Sequence, residues 1–124
     1  MTTDTLSALS QQHCEACHKD APKLTPEAIS ARQHQLPDWQ LINHEGVDQL
    51  QRIFYFDNFQ HALDFTCSIG ALAEAEGHHP ALLTEWGQVT VTWWSHKIKG
   101  LHHNDFIMAA QTDQAAQQAT GLRH

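Results

Sequence analysis

Val89, Val91 and Trp93 alternate with Thr90, Thr92, Trp94 and finally His96, the two-residue period of a half-buried strand that Gly100 breaks and that puts His96 on its more polar face. Upstream the period changes. Ala62, Phe65, Ile69, Leu72 and Ala73 recur at helical spacing, which predicts a long helix capped by Asp57 or Asn58 and stopped at Gly77, its apolar stripe turned to a sheet. Trp39 to His44 and Leu50 to Phe56 are rich in aromatic and branched residues and flank Glu45-Gly46, so they read as an antiparallel hairpin. A shorter helix begins at Thr25-Pro26-Glu27, with Thr as cap and Pro in the first turn, and stops before Pro37. A last one runs from Asn104 to roughly Gln118 and carries Phe106, Ile107 and Ala110.

Residues 1–23 show no sustained period beyond a short turn at Leu6 and Leu9, and read as a flexible polar tail before a single domain over residues 24–124. The order helix, strand, strand, helix, strand, helix predicts an α+β fold, a small antiparallel sheet with helices packed on one face.

Composition narrows the function. Seven Lys and Arg stand against 14 Asp and Glu, a formal charge of -7, so the basic surface that nucleic acid or anionic lipid requires is missing. No stretch has the length and apolarity of a signal or a membrane span, and three cysteines in a chain able to build a core fit a reducing compartment; a cytoplasmic protein is expected. Eleven histidines are the outlying count, five of them (His78, His79, His96, His102, His103) between residues 78 and 103.

The chemistry gathers on Glu74, His78-His79-Pro80, Trp86, His96 and Asp105. Pro80 forces an extended backbone before it and keeps the histidine pair outside the helix, while His96 arrives from the end of a strand. Three imidazoles from two segments can thus meet at one cleft, and imidazole, titrating near ~6.5, gives or accepts a proton near neutrality. Glu74 sits in a helix's last turn, against the macrodipole, where a carboxylate breaks a local rule. Asp105 lies three residues after a plausible cap and has an equally good reading as a helix-start carboxylate. Trp86 and Trp93 read as core residues, since large aromatics on a sheet usually pack.

The stretch EAEGHHPALLTEWGQVTVTWWSHKIKGLHHNDFIMA, residues 74–109, resembles the signature of the pterin-4a-carbinolamine dehydratases: an acidic residue, three positions, His-His-Pro, five or six positions, an aromatic residue, nine positions, His, and later Asp. Glu74, His78, His79, Pro80, Trp86, His96 and Asp105 fill every slot, and a weaker likeness extends over residues 24–118. Ser95 replaces the usual Thr before the third His and keeps its hydroxyl; His102 stands where the family often has a hydroxyl cap. The resemblance implies a hydro-lyase that removes water from 4a-hydroxytetrahydropterin to give quinonoid dihydropterin, so recycling tetrahydrobiopterin-type cofactor for an aromatic amino acid hydroxylase such as one for phenylalanine. It implies catalytic roles for His78, His79 and His96, with proton transfer by His78 and His96 on the two faces of the carbinolamine carbon and pterin holding by His79. Glu74, Pro80, Ser95 and Asp105 are implied as substrate-binding, with Glu74 and Asp105 either orienting imidazoles or binding pterin N–H groups. No metal or organic cofactor is implied, His102 and His103 lie outside the signature, and a homodimer or homotetramer is expected, since so small a sheet leaves edges to cover. The same resemblance admits an alternative, a non-enzymatic dimerisation module of the transcriptional-coactivator kind; a signature without a missing slot argues for the enzyme.

Three metal readings compete at two sites. Cys14-Glu15-Ala16-Cys17-His18 matches the c-type haem attachment pattern, but haem attachment belongs to exported proteins, and zinc on Cys14, Cys17 and a flanking His lacks a second Cys pair to complete four ligands. Zinc on His78, His79 and His96 is disfavoured because adjacent imidazoles rarely aim at one ion and no His-Glu-x-x-His pattern is present. Both sites are therefore expected to be metal-free.

Overall fold

The computed structural model describes residues 9–11 and 23–123. Helix α1 spans Pro26–Gln33, β1 Gln40–His44, β2 Val47–Phe56, α2 Phe59–Glu76, β3 Ala81–Glu85, β4 Gln88–Trp93, α3 His103–Gln117 and β5 Leu122–Arg123. The strands form one antiparallel sheet in the order β1-β2-β4-β3, with β5 paired to β2 beyond the end of β1. This is the α+β architecture that the periodicity predicts.

Local chemistry sets the element ends. Thr25 accepts from the Ala28 N–H at 3.2 Å and Pro26 opens α1; Asn58 caps α2 by accepting from the His61 N–H at 2.8 Å. The β1–β2 turn is Glu45-Gly46 with φ of 52° and 84°, the left-handed pair that matches the twist of a hairpin. Register then puts Leu50, Phe54, Val89, Val91 and Trp93 on one face, all 2% exposed or less, where Phe65, Ile69 and Ala73 of α2 and Phe106 to Ala110 of α3 cover them. Phe54 anchors that layer, 6.1 Å from the Trp39 ring and 5.0 Å from Phe65. Burying side chains of this size contributes about 1.5–3 kcal/mol each, so the α2 stripe holds the helix on the sheet. The other face is open, with Ile53, Tyr55 and Leu83 39%, 50% and 56% exposed.

Several expectations are corrected. Ala81–Glu85 is a strand, although Pro80 and the histidines make it read as loop; it pairs with β4 through a turn at Trp86-Gly87, where Gly87 has φ 72°. Leu122–Arg123 is a strand too short to leave a period. β4 ends at Trp93, so His96 is not on the strand. It lies instead in a turn closed by the Ser95–Gly100 bridge, with Lys99 at φ 52°. Trp93 is fully buried as expected, but Trp86 is 74% exposed at the β3–β4 turn and is not a core residue. Helix α3, whose extent is close to that expected, is buried nearly all round from Asn104 to Asp113. In the segment read as a tail, Leu9 is helical and only 4% exposed within the core; the Cys14–Cys17 motif lies outside the described residues.

Candidate active site

Helix α2 ends in a Schellman motif. Gly77 takes φ 65°, its N–H reaches the Glu74 carbonyl at 3.3 Å, and the His78 N–H reaches back to the Ala73 carbonyl at 3.2 Å. His78 is thus fixed at the backbone before its side chain makes any contact. Pro80 then sends the chain straight into β3, which leaves His78 and His79 between two rigid elements. His96 comes to the same place from the turn after β4, and Gly77, His78, His79, His96 and Lys97 line a cleft of about 360 Å³. The three predicted histidines are brought together.

They are held differently. His78 is 6% exposed, its Nε2 is 2.7 Å from Asp105 Oδ1, and its ring lies parallel to the Trp93 indole, 5° between planes and 5.7 Å between centroids. His79 is exposed and its Nε2 is hydrogen-bonded to Glu74 Oε2. A pair this solvated adds little to stability, but it places a partner beside the carboxylate that would otherwise face the helix's negative end alone. His96 packs its ring against Trp94, centroids 4.3 Å apart, with Nε2 3.3 Å from the His79 carbonyl oxygen. The three Nε2 atoms turn to three different partners, and among the described residues no group of three His, Cys, Asp or Glu side chains is disposed to hold a metal ion.

Behind His78 stands a buried carboxylate. Asp105 and Ser95 are both 0% exposed. Asp105 Oδ1 meets His78, while Oδ2 accepts from the Ser95 hydroxyl at 2.8 Å and from the His102 N–H at 2.9 Å. The last bond is half of a capping box, in which His102 Nδ1 accepts from the Asn104 N–H at 3.1 Å. Asp105 therefore joins the two roles that the sequence sets as alternatives, helix-start carboxylate and imidazole orienter. Asp105 and Ser95 both lie behind His78, and neither is among the cleft's lining residues. Pro80 is half-buried and is not among the cleft's lining residues. Lys97, Trp93 and Trp94 are the neighbours that sequence reasoning leaves out of the site; their adjacency to His96 is the signal, and the opposite orientations of Trp93 and Trp94 are what the strand period supplies.

Chemically, a cleft with three imidazoles, one backed by a buried carboxylate, offers proton donors and acceptors near neutral pH. A family model described as pterin 4 alpha carbinolamine dehydratase matches residues 22–115. The crystal structure of a transcriptional coactivator/pterin dehydratase from Brucella melitensis is similar, with a TM-score of 0.68 and 26% identity, over 76% of this chain and 98% of that one. The matched stretch holds Glu74, the three cleft histidines and the carboxylate behind them, and with three quarters of the sequence inside it the chain belongs to the pterin 4 alpha carbinolamine dehydratase family.

Proposed function

We propose that the protein is a hydro-lyase that converts 4a-hydroxytetrahydropterin to quinonoid dihydropterin and so returns spent cofactor to an aromatic amino acid hydroxylase in the cytoplasm. The observation that carries this reading is the convergence of His78, His79 and His96 on one cleft, with the His78 ring tied to a buried carboxylate. The reaction breaks the C4a–OH bond and removes a proton from the adjacent ring nitrogen. Hydroxide leaves as water only if protonated, so the step needs one acid and one base placed on the substrate.

His78 fits one role. With Nε2 engaged by Asp105, its Nδ1 is the nitrogen left for proton transfer, and the carboxylate fixes the direction in which the ring points. His96, across the cleft on the turn after β4, fits the other. His79 and Glu74, paired and exposed at the rim, suit holding the pterin through hydrogen bonds rather than turning it over. The test is direct: the decay of 4a-hydroxytetrahydropterin, followed by ultraviolet absorbance, should be faster with catalytic amounts of the protein than in buffer alone. An unchanged decay would contradict the reading. The coactivator half of the Brucella protein's name favours a second reading, a dimerisation module; binding of a transcription factor by protein that lacks dehydratase activity is the result that reading requires.

A further inference from the structure

Thr112 has no place in the signature, yet it reaches the site through one residue. It is fully buried on α3, its hydroxyl donates to the Met108 carbonyl at 2.6 Å and accepts from the Trp93 indole N–H at 3.1 Å. That indole is the plane on which His78 lies, 5° from parallel. Thr112 stands seven residues after Asp105, two helical turns on, so the two share a face of α3 that looks toward the end of β4. Both act on the same imidazole. Asp105 fixes the direction of Nε2, whereas the indole fixes the plane of the ring, and a hydrogen bond to one atom leaves rotation about that bond free unless a second contact stops it.

We propose that Thr112 is a positioning residue for His78, acting through Trp93: the buried N–H to hydroxyl bond locks the indole, and the locked indole holds the imidazole at the angle from which Nδ1 serves the cleft. A buried indole N–H has few ways to be satisfied, so its partner selects one ring orientation. The Met108 carbonyl in turn takes the hydroxyl hydrogen, which leaves the Thr112 oxygen lone pairs directed outward from the helix, toward Trp93. The catalytic part of this inference rests on the dehydratase reading; the structural part does not.

The experiment compares Thr112→Val, Thr112→Ser and Trp93→Phe with wild type, by steady-state dehydration of 4a-hydroxytetrahydropterin and by the 15N chemical shifts of the His78 ring, which report its tautomer and hydrogen bonding. Thr112→Val should lower kcat about 10-fold with KM changed less than about twofold, because a misaligned ring reacts poorly but binds no worse. Thr112→Ser, which keeps the acceptor, should restore the rate, and the His78 shifts should move in Thr112→Val but not in Thr112→Ser. Trp93→Phe removes the tether without stranding a donor, so it decides the matter if Thr112→Val does not fold. A wild-type rate, or unmoved His78 shifts, in Trp93→Phe overturns the proposal. If wild type itself fails to dehydrate the substrate, the functional reading falls while the 15N comparison still tests the lock.

Discussion

Replacing His78 or His96 by Ala is expected to lower dehydration turnover by roughly 100- to 10,000-fold, the usual worth of a general acid or base, with the fold retained as judged by circular dichroism. If the two serve opposite faces of the carbinolamine, each single change spares part of the activity on mixed 4a-epimers and the double change removes nearly all of it. His79→Ala should instead raise KM more than it lowers kcat, since an exposed rim contact acts on binding. Asp113, away from the cleft, makes folding stability depend on pH. Asp113 is pushed up from 3.8 to about 6 by burial, against the opposing pull of Arg52, whose guanidinium is 2.7 Å away, and the Trp39 N–H at 2.9 Å. The sign follows from linkage: the folded state holds this proton more tightly than the unfolded chain, so the group's contribution favours folding below pH 3.8 and declines as pH rises toward 6. Relative to Asp113→Asn, which mimics the protonated form, wild type should lose stability between pH 4 and 6 and run level above, by at most about 3 kcal/mol in urea titrations. A difference that does not vary over that window would show that Asp113 titrates normally.

Helix α3 gathers the support of the site, because Asp105 at its start and Thr112 two turns on both act on His78. Its cap therefore matters beyond stability. His102 lies outside the signature but stands where the family often has a hydroxyl cap; the structure makes it the cap, with Nδ1 accepting from the Asn104 N–H and its own N–H given to Asp105. His102→Ala should destabilise the fold by about 1 kcal/mol, and His102→Ser or Asn should recover it, as measured by urea midpoint. Equal midpoints for His102→Ala and wild type would remove the capping role. The histidine pair, by contrast, was readable as an element boundary: Gly77 as terminator and Pro80 as helix breaker frame it, and the Schellman motif is the form those residues take.

At the scale of the molecule, two surfaces shape the expectations. Leu9 sits in the core at 4% exposure, so a chain started at Asp20 should fold and keep its activity but lose about 2 kcal/mol of stability, seen as a lower thermal midpoint. An unchanged midpoint would show that Leu9 contributes no net packing. The edge strand β3 and its turn expose Leu83 at 56% and Trp86 at 74%, more apolar surface than an edge normally leaves to water. We expect a homodimer or homotetramer that covers them. Sedimentation at micromolar concentration should show it, and Trp86→Lys should weaken it. A strictly monomeric wild type would contradict this.

Period, caps and breakers set α1, the β1–β2 hairpin, α2, most of β4 and the extent of α3, because each rests on contacts within a few residues; the spacing from Glu74 to Asp105 likewise marked the histidine cleft. Strands β3 and β5 were not legible, since five residues after a proline and two near the chain end acquire a period only through their partners β4 and β2. Nor was the division of labour around the cleft. Which imidazole is buried, that Asp105 and Ser95 stand behind it, and that Trp86 faces solvent while Trp93 lies under His78 follow from burial and register between segments far apart in the chain. A side chain's type is written in the sequence, but the solvent it keeps and the partner it meets are decided when α3 closes over the sheet.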